Sequence, residues 1–238
     1  MTKLFPRTGI IGGAAFDPTW GVSGCLVAVY SDLKVTKDGS NRVSLWEGPV
    51  GTQSFSQATD SKKFVWYDAL LNGYPELRSD GVDDLMKTAA FSFDRPLTVF
   101  LVYRNIVPGA SGAHDVVFDG LSDYFAYVED TRPNIAFYGE SYFNLAELFS
   151  NNQYILTTIG HASDGGNTGY FRRNGVDKGG FVDPVTSAGG GLTLAASFGL
   201  NRFTNIGFVA LLLYDSMLGS TDRATIENGI HTRYPALW

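Results

Sequence analysis

The chain is poor in cysteine and histidine, which limits its chemistry. Its 238 residues include one cysteine, Cys25, so no intrachain disulfide and no metal site built from several thiolates can form. Cys25 lies in the apolar run "GCLVAVY", which predicts a buried, inert thiol. His114, His161 and His231 are spread along the chain without the spacing of a metal site or a catalytic triad. Neither residue type is therefore predicted to carry a reaction.

Clustered positive charge and long apolar runs are also missing. The net charge is −6 and the basic residues stand singly or in pairs, so a nucleic-acid partner is not predicted. No run approaches the roughly 20 apolar residues of a membrane span. The beginning, "MTKLFPRTGIIGG", lacks the apolar core of a signal peptide. These features favour a virion protein assembled inside its host, with a cytoplasmic or extracellular location as the alternatives.

Aromatic residues and glycine are abundant and point to short strands. The chain has 17 Phe, 12 Tyr and 28 Gly, and hydrophobic residues make up 44% of it. Strand-like runs such as "PLTVFLVYRN" and "QYILTTIGHA" alternate with turn signals, of which Asn174-Gly175 is the strongest. The run "CLVAVYSDLKV" is predicted to form one strand that ends at a turn over Lys37-Asp38-Gly39. We predict an irregular arm over residues 1–15 and a single domain over 16–238. The predicted fold is all-β, an antiparallel two-sheet jelly-roll sandwich with a short C-terminal helix.

That helix has both a start and a stop signal. Gly219 precedes Ser220 and Thr221, either of which can cap a helix N-terminus, and Pro235 ends the helical pattern. Gly229 inside the helix lowers its stability by about 1 kcal/mol relative to alanine. The helix is therefore predicted to depend on packing against a sheet.

Five segments, in order, resemble a known family. They are "FDPTWGVSGCLVAVYSD", "LLNGYPELRSDGVDDLM", "VVFDG", "GYFRRNGVDKG" and "FVALLLYDSMLGSTDRATIENGIHTRYP". Together they resemble the concanavalin A-like lectin/glucanase superfamily, and within it the laminin-G-like jelly rolls common in phage and bacterial surface proteins. The chain departs from that family at Val29-Tyr30, where a tryptophan is usual, and at Ala210, where relatives often carry an acidic residue.

The superfamily includes glucanases, so catalysis needs a test. A retaining glycosidase requires two carboxyl groups about 5 Å apart, and the glucanases of this fold carry them on one strand as E-x-D-x-x-E or E-x-D-x-E. None of the six glutamates begins such a pattern, and the adjacent Glu129 and Asp130 would point to opposite faces. The chain also lacks a G-x-S-x-G elbow. The prediction is that the chain is not an enzyme.

The segment "NGYPELRSDGVDDLM" raises the question of calcium. Asp80, Asp83 and Asp84, with Asp119 nearby if the strands pair, could supply part of the six to eight oxygens that Ca²⁺ takes. The favoured interpretation is a turn, because Asp and Gly form tight turns without a metal. No cofactor is predicted, and Ca²⁺ remains the alternative.

A sugar site would need aromatic faces with amide or charged partners. The candidates are Tyr124, Tyr138, Tyr142, Asn144, Tyr170 and Arg172. The alternative for each is an ordinary side chain on the surface of a sheet.

The sequence thus favours a structural or adhesion module, of the kind found on a bacteriophage virion as a decoration, fibre or tail-associated protein. Its predicted partners are other virion or surface proteins, bound through the arm, and host glycans; a homo-oligomer is left open. The alternative is a carbohydrate-binding lectin with or without calcium. A glycoside hydrolase is the least favoured hypothesis.

Overall fold

The chain forms a β-sandwich with one helix near its end. The computed structural model describes residues 16–48, 53–71, 73–94, 96–107, 114–121, 126–130, 135–138, 141–143, 152–162, 169–181, 190–197, 199–200, 202–235 and 237; for 107, 114–115, 126–130, 135–138 and 141–143 it describes the backbone alone. The elements are, in chain order, β1 (Cys25–Tyr30), β2 (Val35–Lys37), β3 (Val43–Glu47), β4 (Ser54–Ser56), a 3-10 turn (Asp60–Lys62), β5 (Val65–Leu71), β6 (Tyr74–Arg78), β7 (Met86–Thr88), β8 (Leu97–Val107), β9 (His114–Gly120), β10 (Ala126–Asp130), β11 (Ile135–Tyr138), β12 (Ser141–Phe143), β13 (Tyr154–His161), β14 (Gly169–Arg173), β15 (Val176–Phe181), β16 (Leu192–Leu194), β17 (Asn205–Tyr214) and α1 (Ser220–Arg233).

The strands form two antiparallel sheets. The eight-stranded sheet has the order β15-β14-β13-β8-β17-β6-β5, and β1 also pairs with β17. The nine-stranded sheet has the order β12-β11-β10-β9-β16-β7-β4-β3-β2. The predicted all-β sandwich with a short C-terminal helix is confirmed. The predicted arm, residues 1–15, lies outside the described residues.

The eight-stranded sheet is buried on both faces over much of its width. One face packs against the nine-stranded sheet in a core that includes Trp46, Leu77 and Phe208. The opposite face, called the outer face below, packs against α1 through residues such as Phe100 and Ile230. Because both faces are covered, β8 and β17 read as nearly continuous apolar runs.

Two local predictions have different outcomes. The hairpin at Asn174-Gly175 is confirmed, since it joins β14 to β15 with φ of 50° and 72° at the two turn residues. The run "CLVAVYSDLKV" was expected to form one strand, and this is wrong. A turn after Tyr30, with φ of 49° at Lys34, divides it into β1 and β2, which belong to different sheets.

Helix α1 begins where the sequence predicts, but it is capped differently. Gly219 occupies the N-cap position in an extended conformation, and no side chain caps the first turn. The prediction of Ser220 or Thr221 as the cap is therefore wrong, because Ser220 is already the first residue of the helix. In the part of the chain that the structure describes, no helix is long and apolar enough to cross a membrane.

Gly229 is needed for close packing, which its low helix propensity does not reveal. A Cβ at this position would lie 2.3 Å from the indole of Trp20, so the helix and the ring approach each other only at a glycine. We expect Gly229→Ala to lower the free energy of unfolding by about 1–3 kcal/mol through this overpacking. Chemical denaturation should show the loss, with the exposed neighbour Asn228→Ala as the control. A gain of about 1 kcal/mol, the value from propensity alone, would contradict the packing.

Candidate functional site

Five neighbouring strands place five residues side by side on the outer face of the eight-stranded sheet. Directly paired positions give the row Val65 on β5, Arg78 on β6, Gly207 on β17, Arg104 on β8 and Tyr154 on β13. Leu77 and Phe208 point into the core between the sheets, so their neighbours in this row point away from it. The row runs along the border of the apolar patch that α1 covers.

A buried carboxylate lies at the centre of this row. Glu76 is fully buried, and its side chain leans over Gly207, where an added Cβ would meet the carboxylate at 2.5 Å. Arg78 donates to Oε1, Arg104 donates to both oxygens, and Tyr154 donates its hydroxyl to Oε2 at 2.7 Å. The charge of Glu76 is therefore shared by two guanidinium groups, which satisfies a group that would be costly to bury alone.

The guanidinium group of each of these arginines also lies over a tyrosine ring. The Arg78 guanidinium lies over the Tyr67 ring at 4.0 Å, and that of Arg104 lies over the Tyr154 ring at 5.1 Å. Burial and the hydrogen bond to Glu76 raise the pKa of Tyr154, which keeps its hydroxyl a donor. We call the five connected side chains, Tyr67, Arg78, Glu76, Arg104 and Tyr154, the aromatic stripe.

A cleft of about 260 Å³ opens beside the Tyr67 end of the stripe. Its lining comprises Val65, Tyr67, Arg78, Ser79, Asp80, Asp84, Ile106 and Asn205. Tyr67 is 39% exposed, whereas Asp84 is buried. The Oδ1 atom of Asn205 is buried and has no hydrogen-bond partner among the described residues. The cleft thus combines an exposed ring with carboxylate and amide groups.

The loop after β6 fixes the two carboxylates of the cleft. Asp80 Oδ1 accepts backbone N–H groups of Val82, Asp83 and Asp84 at 2.8, 3.3 and 3.4 Å. In return the Asp80 N–H donates to Asp84 Oδ2 at 3.1 Å. Gly81 has φ of 79°, and a Cβ there would lie 3.0 Å from Asn205, so glycine suits both the turn and the close approach. The sequence interpretation of this segment as an Asp-Gly turn agrees with that geometry.

The pKa of Asp84 is unusually high for an aspartate. Burial raises its pKa to about 7 from the ordinary 3.8, and the charges of Asp80 and Asp83 add to the rise. The hydrogen bond from the Asp80 N–H and the charge of Arg42 oppose it. The folded protein therefore favours the neutral acid at mildly acidic pH.

This pKa makes stability depend on pH. A folded-state pKa above the unfolded value stabilises the protein at low pH, and the stabilisation is lost as pH rises from about 4 to about 7. We expect the free energy of unfolding to fall across this window and Asp84→Asn to remove the Asp84 part of the fall. Urea titrations of both proteins at several pH values measure this. Parallel pH profiles for the two proteins would contradict the assignment.

The structure brings together three of the four predicted calcium ligands. One carboxylate oxygen each from Asp80, Asp83 and Asp84 lie within 4.8 Å of one another. Asp119 does not join them, since it lies in β9 of the other sheet, where its Oδ1 accepts the Gly120 N–H. One Asp80 oxygen is already used by three N–H groups. Calcium stays a prediction, tested by the thermal midpoint with Ca²⁺ and with a chelator.

Two of the predicted sugar-binding residues have internal contacts with the helix. Arg172 donates to both oxygens of Glu227 at 2.9 and 3.0 Å, and Glu227 is 4% exposed. Tyr170 is mostly buried beneath the guanidinium of Arg223, which lies 4.3 Å from its ring centre. These contacts fasten α1 to the sheet, so we do not place Tyr170 and Arg172 in the cleft.

The remaining sugar-binding candidates are not placed by the structure. Tyr124 and Asn144 lie outside the described residues. Tyr138 and Tyr142 belong to β11 and β12, for which the backbone alone is described. Their predicted role therefore stays a prediction.

The fold resembles solved structures of a sialidase, an arabinanase domain and a neurotoxin domain. Trypanosoma rangeli sialidase in complex with sialic acid matches with a TM-score of 0.58 at 10% identity, over 87% of this chain and 33% of that one. Domain 4 of AbnA, a GH43 extracellular arabinanase from Geobacillus stearothermophilus in complex with arabinotriose, matches with a TM-score of 0.55 at 13% identity, over 85% of this chain and 97% of that one. The receptor-binding domain of botulinum neurotoxin mosaic serotype C/D matches with a TM-score of 0.58 at 11% identity, over 90% of this chain and 52% of that one.

These likenesses define the architecture, and at such identities they show the fold alone. The chain spans about a third of the length of the sialidases that it matches. No family model matches the chain, and no curated protein matches it in sequence. The β-sandwich is consistent with the concanavalin A-like resemblance. The narrower laminin-G-like and phage assignments have no support from these structures.

The comparisons correct one sequence conclusion. We predicted that the chain is not an enzyme. This exclusion of catalysis is wrong, because a sialidase and a domain of an arabinanase are among the structures that the chain resembles. The missing glutamate pattern excludes one arrangement of catalytic carboxyl groups on one strand. It does not exclude catalysis by groups placed elsewhere on the same fold.

The residues of the aromatic stripe were not predicted from the sequence. In "YPELR" the alternation of Glu76 and Arg78 around Leu77 indicates that both charges share one face of a strand. That alternation could have identified Glu76 and Arg78 as candidate site residues. Their partners Arg104 and Tyr154 lie on strands distant in sequence, and the pairing that brings them together has no local signal.

Proposed function

We propose that the chain is a carbohydrate-binding β-sandwich domain and that the cleft beside Tyr67 is its sugar site. The observation that carries the proposal is an exposed ring held in place next to fixed polar groups. Arg78 lies over the Tyr67 ring, and Asp80, Asp84 and Asn205 line the same cleft. Small-molecule sites in proteins typically combine apolar or aromatic walls with a few well-placed polar groups.

The polar groups of the cleft suit hydroxyl groups. Asn205 lines the cleft, and its side-chain amide is of a type that forms hydrogen bonds with sugar hydroxyl groups. Asp80 and Asp84 add acceptors on the same lining, and a protonated Asp84 adds a donor. The C–H face of a sugar ring can pack on the exposed part of Tyr67.

The comparisons support the same class of ligand. The arabinanase domain is in complex with arabinotriose, and one sialidase structure is in complex with sialic acid. At identities of 13% and 10%, these structures do not by themselves show that this chain binds a sugar. The proposal therefore rests on the chain's own cleft.

A glycan array followed by calorimetry tests the proposal. We expect the wild-type protein to bind at least one glycan class and Tyr67→Ala to weaken that binding at least tenfold, or about 1.4 kcal/mol. Val176→Ala is the control, because Val176 is exposed on the opposite edge strand, β15. Equal loss in both variants, or binding untouched by Tyr67→Ala, would contradict the site. The bound glycan should also be incubated with the protein and its products analysed, since the fold occurs in enzymes.

The location on a virion, the single domain over 16–238, the docking arm and any homo-oligomer stay predictions from the sequence. A virion protein that also binds glycans would fit an adhesion role. Mass spectrometry of purified particles from the producing host tests the location, and absence of the chain from every particle would end the virion hypothesis.

A further inference from the structure

The polar surface continues beyond the cleft along the whole aromatic stripe. Tyr67 belongs to β5 and Tyr154 to β13, and three strands, β6, β17 and β8, lie between them. With neighbouring strands about 4.8 Å apart, the four intervals give a span of about 19 Å. This length exceeds one sugar ring and matches a chain of several.

The two ends of the stripe are built alike. Each end has a tyrosine ring beneath the guanidinium of an arginine, and both arginines donate to the same carboxylate of Glu76. Tyr154 is half-buried and Tyr67 is exposed. Because one buried group fixes both arginines, the two rings are held at a set separation before any ligand binds.

At the middle of the stripe, β17 contributes no side chain. Gly207 lies between Arg78 and Arg104 in the row, and the carboxylate of Glu76 fills the space that its Cβ would take. A larger residue at position 207 would displace Glu76 and rise between the rings. The buried carboxylate of Glu76 therefore lies over Gly207, between the guanidinium groups of Arg78 and Arg104.

We propose that the sugar site is extended, and that the aromatic stripe binds a linear oligosaccharide of several sugar rings, with Tyr67 and Tyr154 stacking on rings at its two ends. The inference rests on the proposed function and adds a second aromatic subsite to it. The guanidinium groups of Arg78 and Arg104 supply N–H donors along the stripe, which suit the hydroxyl groups of a sugar chain.

A ladder of chain lengths tests the extended site. The glycan class selected by the array is titrated calorimetrically as a series from the monosaccharide to the hexasaccharide. We expect the affinity to rise with length and then level off once the stripe is filled. Tyr154→Ala should weaken the longest chains by about five- to tenfold more than the disaccharide, in the range of one aromatic contact. Tyr67→Ala should weaken every length.

Tyr154→Phe is the matched variant, because it keeps the ring and removes the hydroxyl that bonds to Glu76. It should retain the length dependence, which separates stacking from support of the carboxylate. The inference is overturned if affinity does not depend on length, or if Tyr154→Ala weakens all lengths equally or none. Binding that ignores Tyr67→Ala, or no glycan binding at all, overturns the proposed function itself.

Discussion

Replacing Glu76 by glutamine should lower the free energy of unfolding by about 3 kcal/mol or more. The carboxylate is fully buried and compensates Arg78 and Arg104, whose side chains are 25% and 15% exposed. Glutamine has the same shape without the charge, so two like charges remain close together over a buried site. Removing one partner of a buried ion pair is far more damaging than losing a surface pair.

Chemical denaturation of Glu76→Gln measures this loss, with Asp68→Asn on the exposed part of β5 as the control. The double variant Glu76→Gln/Arg104→Met should recover part of the stability, because it removes one of the unpaired cations. A loss within about 0.5 kcal/mol, as for ordinary surface substitutions, would show that the network does not support the sheet.

Arg172→Met should also destabilise the protein by about 3 kcal/mol or more, and it should leave sugar binding unchanged. The substitution leaves the carboxylate of Glu227 without its charged partner; this carboxylate is 4% exposed and also accepts a hydrogen bond from the Thr158 hydroxyl at 2.9 Å. Both oxygens of Glu227 currently accept from the same guanidinium. Because Glu227 belongs to α1, the helix would lose its ion pair to β14.

The measurement pairs denaturation with calorimetry at a temperature where the variant is folded. Lys34→Met, an exposed cation in the turn between β1 and β2, serves as the control. If Arg172→Met were stable but unable to bind the glycan, Arg172 would belong to the sugar site after all, as the sequence analysis proposed.

The sequence predicts the class of fold because its signals are local. Alternation, the Asn174-Gly175 turn and the helix signals around Gly219 and Pro235 act within a few residues, and the structure follows them. The division of "CLVAVYSDLKV" was missed because the turn at Lys34 is formed by a residue with no turn preference of its own. At this position, the pairing of β1 and β2 within different sheets decides where the two strands begin and end, and the local alternation does not.

The candidate site was harder to predict because it is assembled by pairing between distant strands. Asp80 and Asp84 were recognised as a cluster, since they are only four positions apart in sequence. Tyr67, Arg104 and Asn205 were not, because only the order β5-β6-β17-β8 brings them to one face. Conversely, Tyr170 and Arg172 looked like surface residues because nothing in their own strand reveals that α1 covers them.

The central claim is that sugar binds on the outer face of the eight-stranded sheet, at the cleft and along the stripe. Its most direct test is an NMR titration of the labelled protein with the oligosaccharide that the array selects, following backbone amide shifts. The account predicts that the largest shifts fall on Tyr67, Asp84 and Asn205, extend to Tyr154 with a long chain, and disappear in Tyr67→Ala. Saturable shifts confined to residues outside the cleft and stripe, unchanged by Tyr67→Ala, would contradict it.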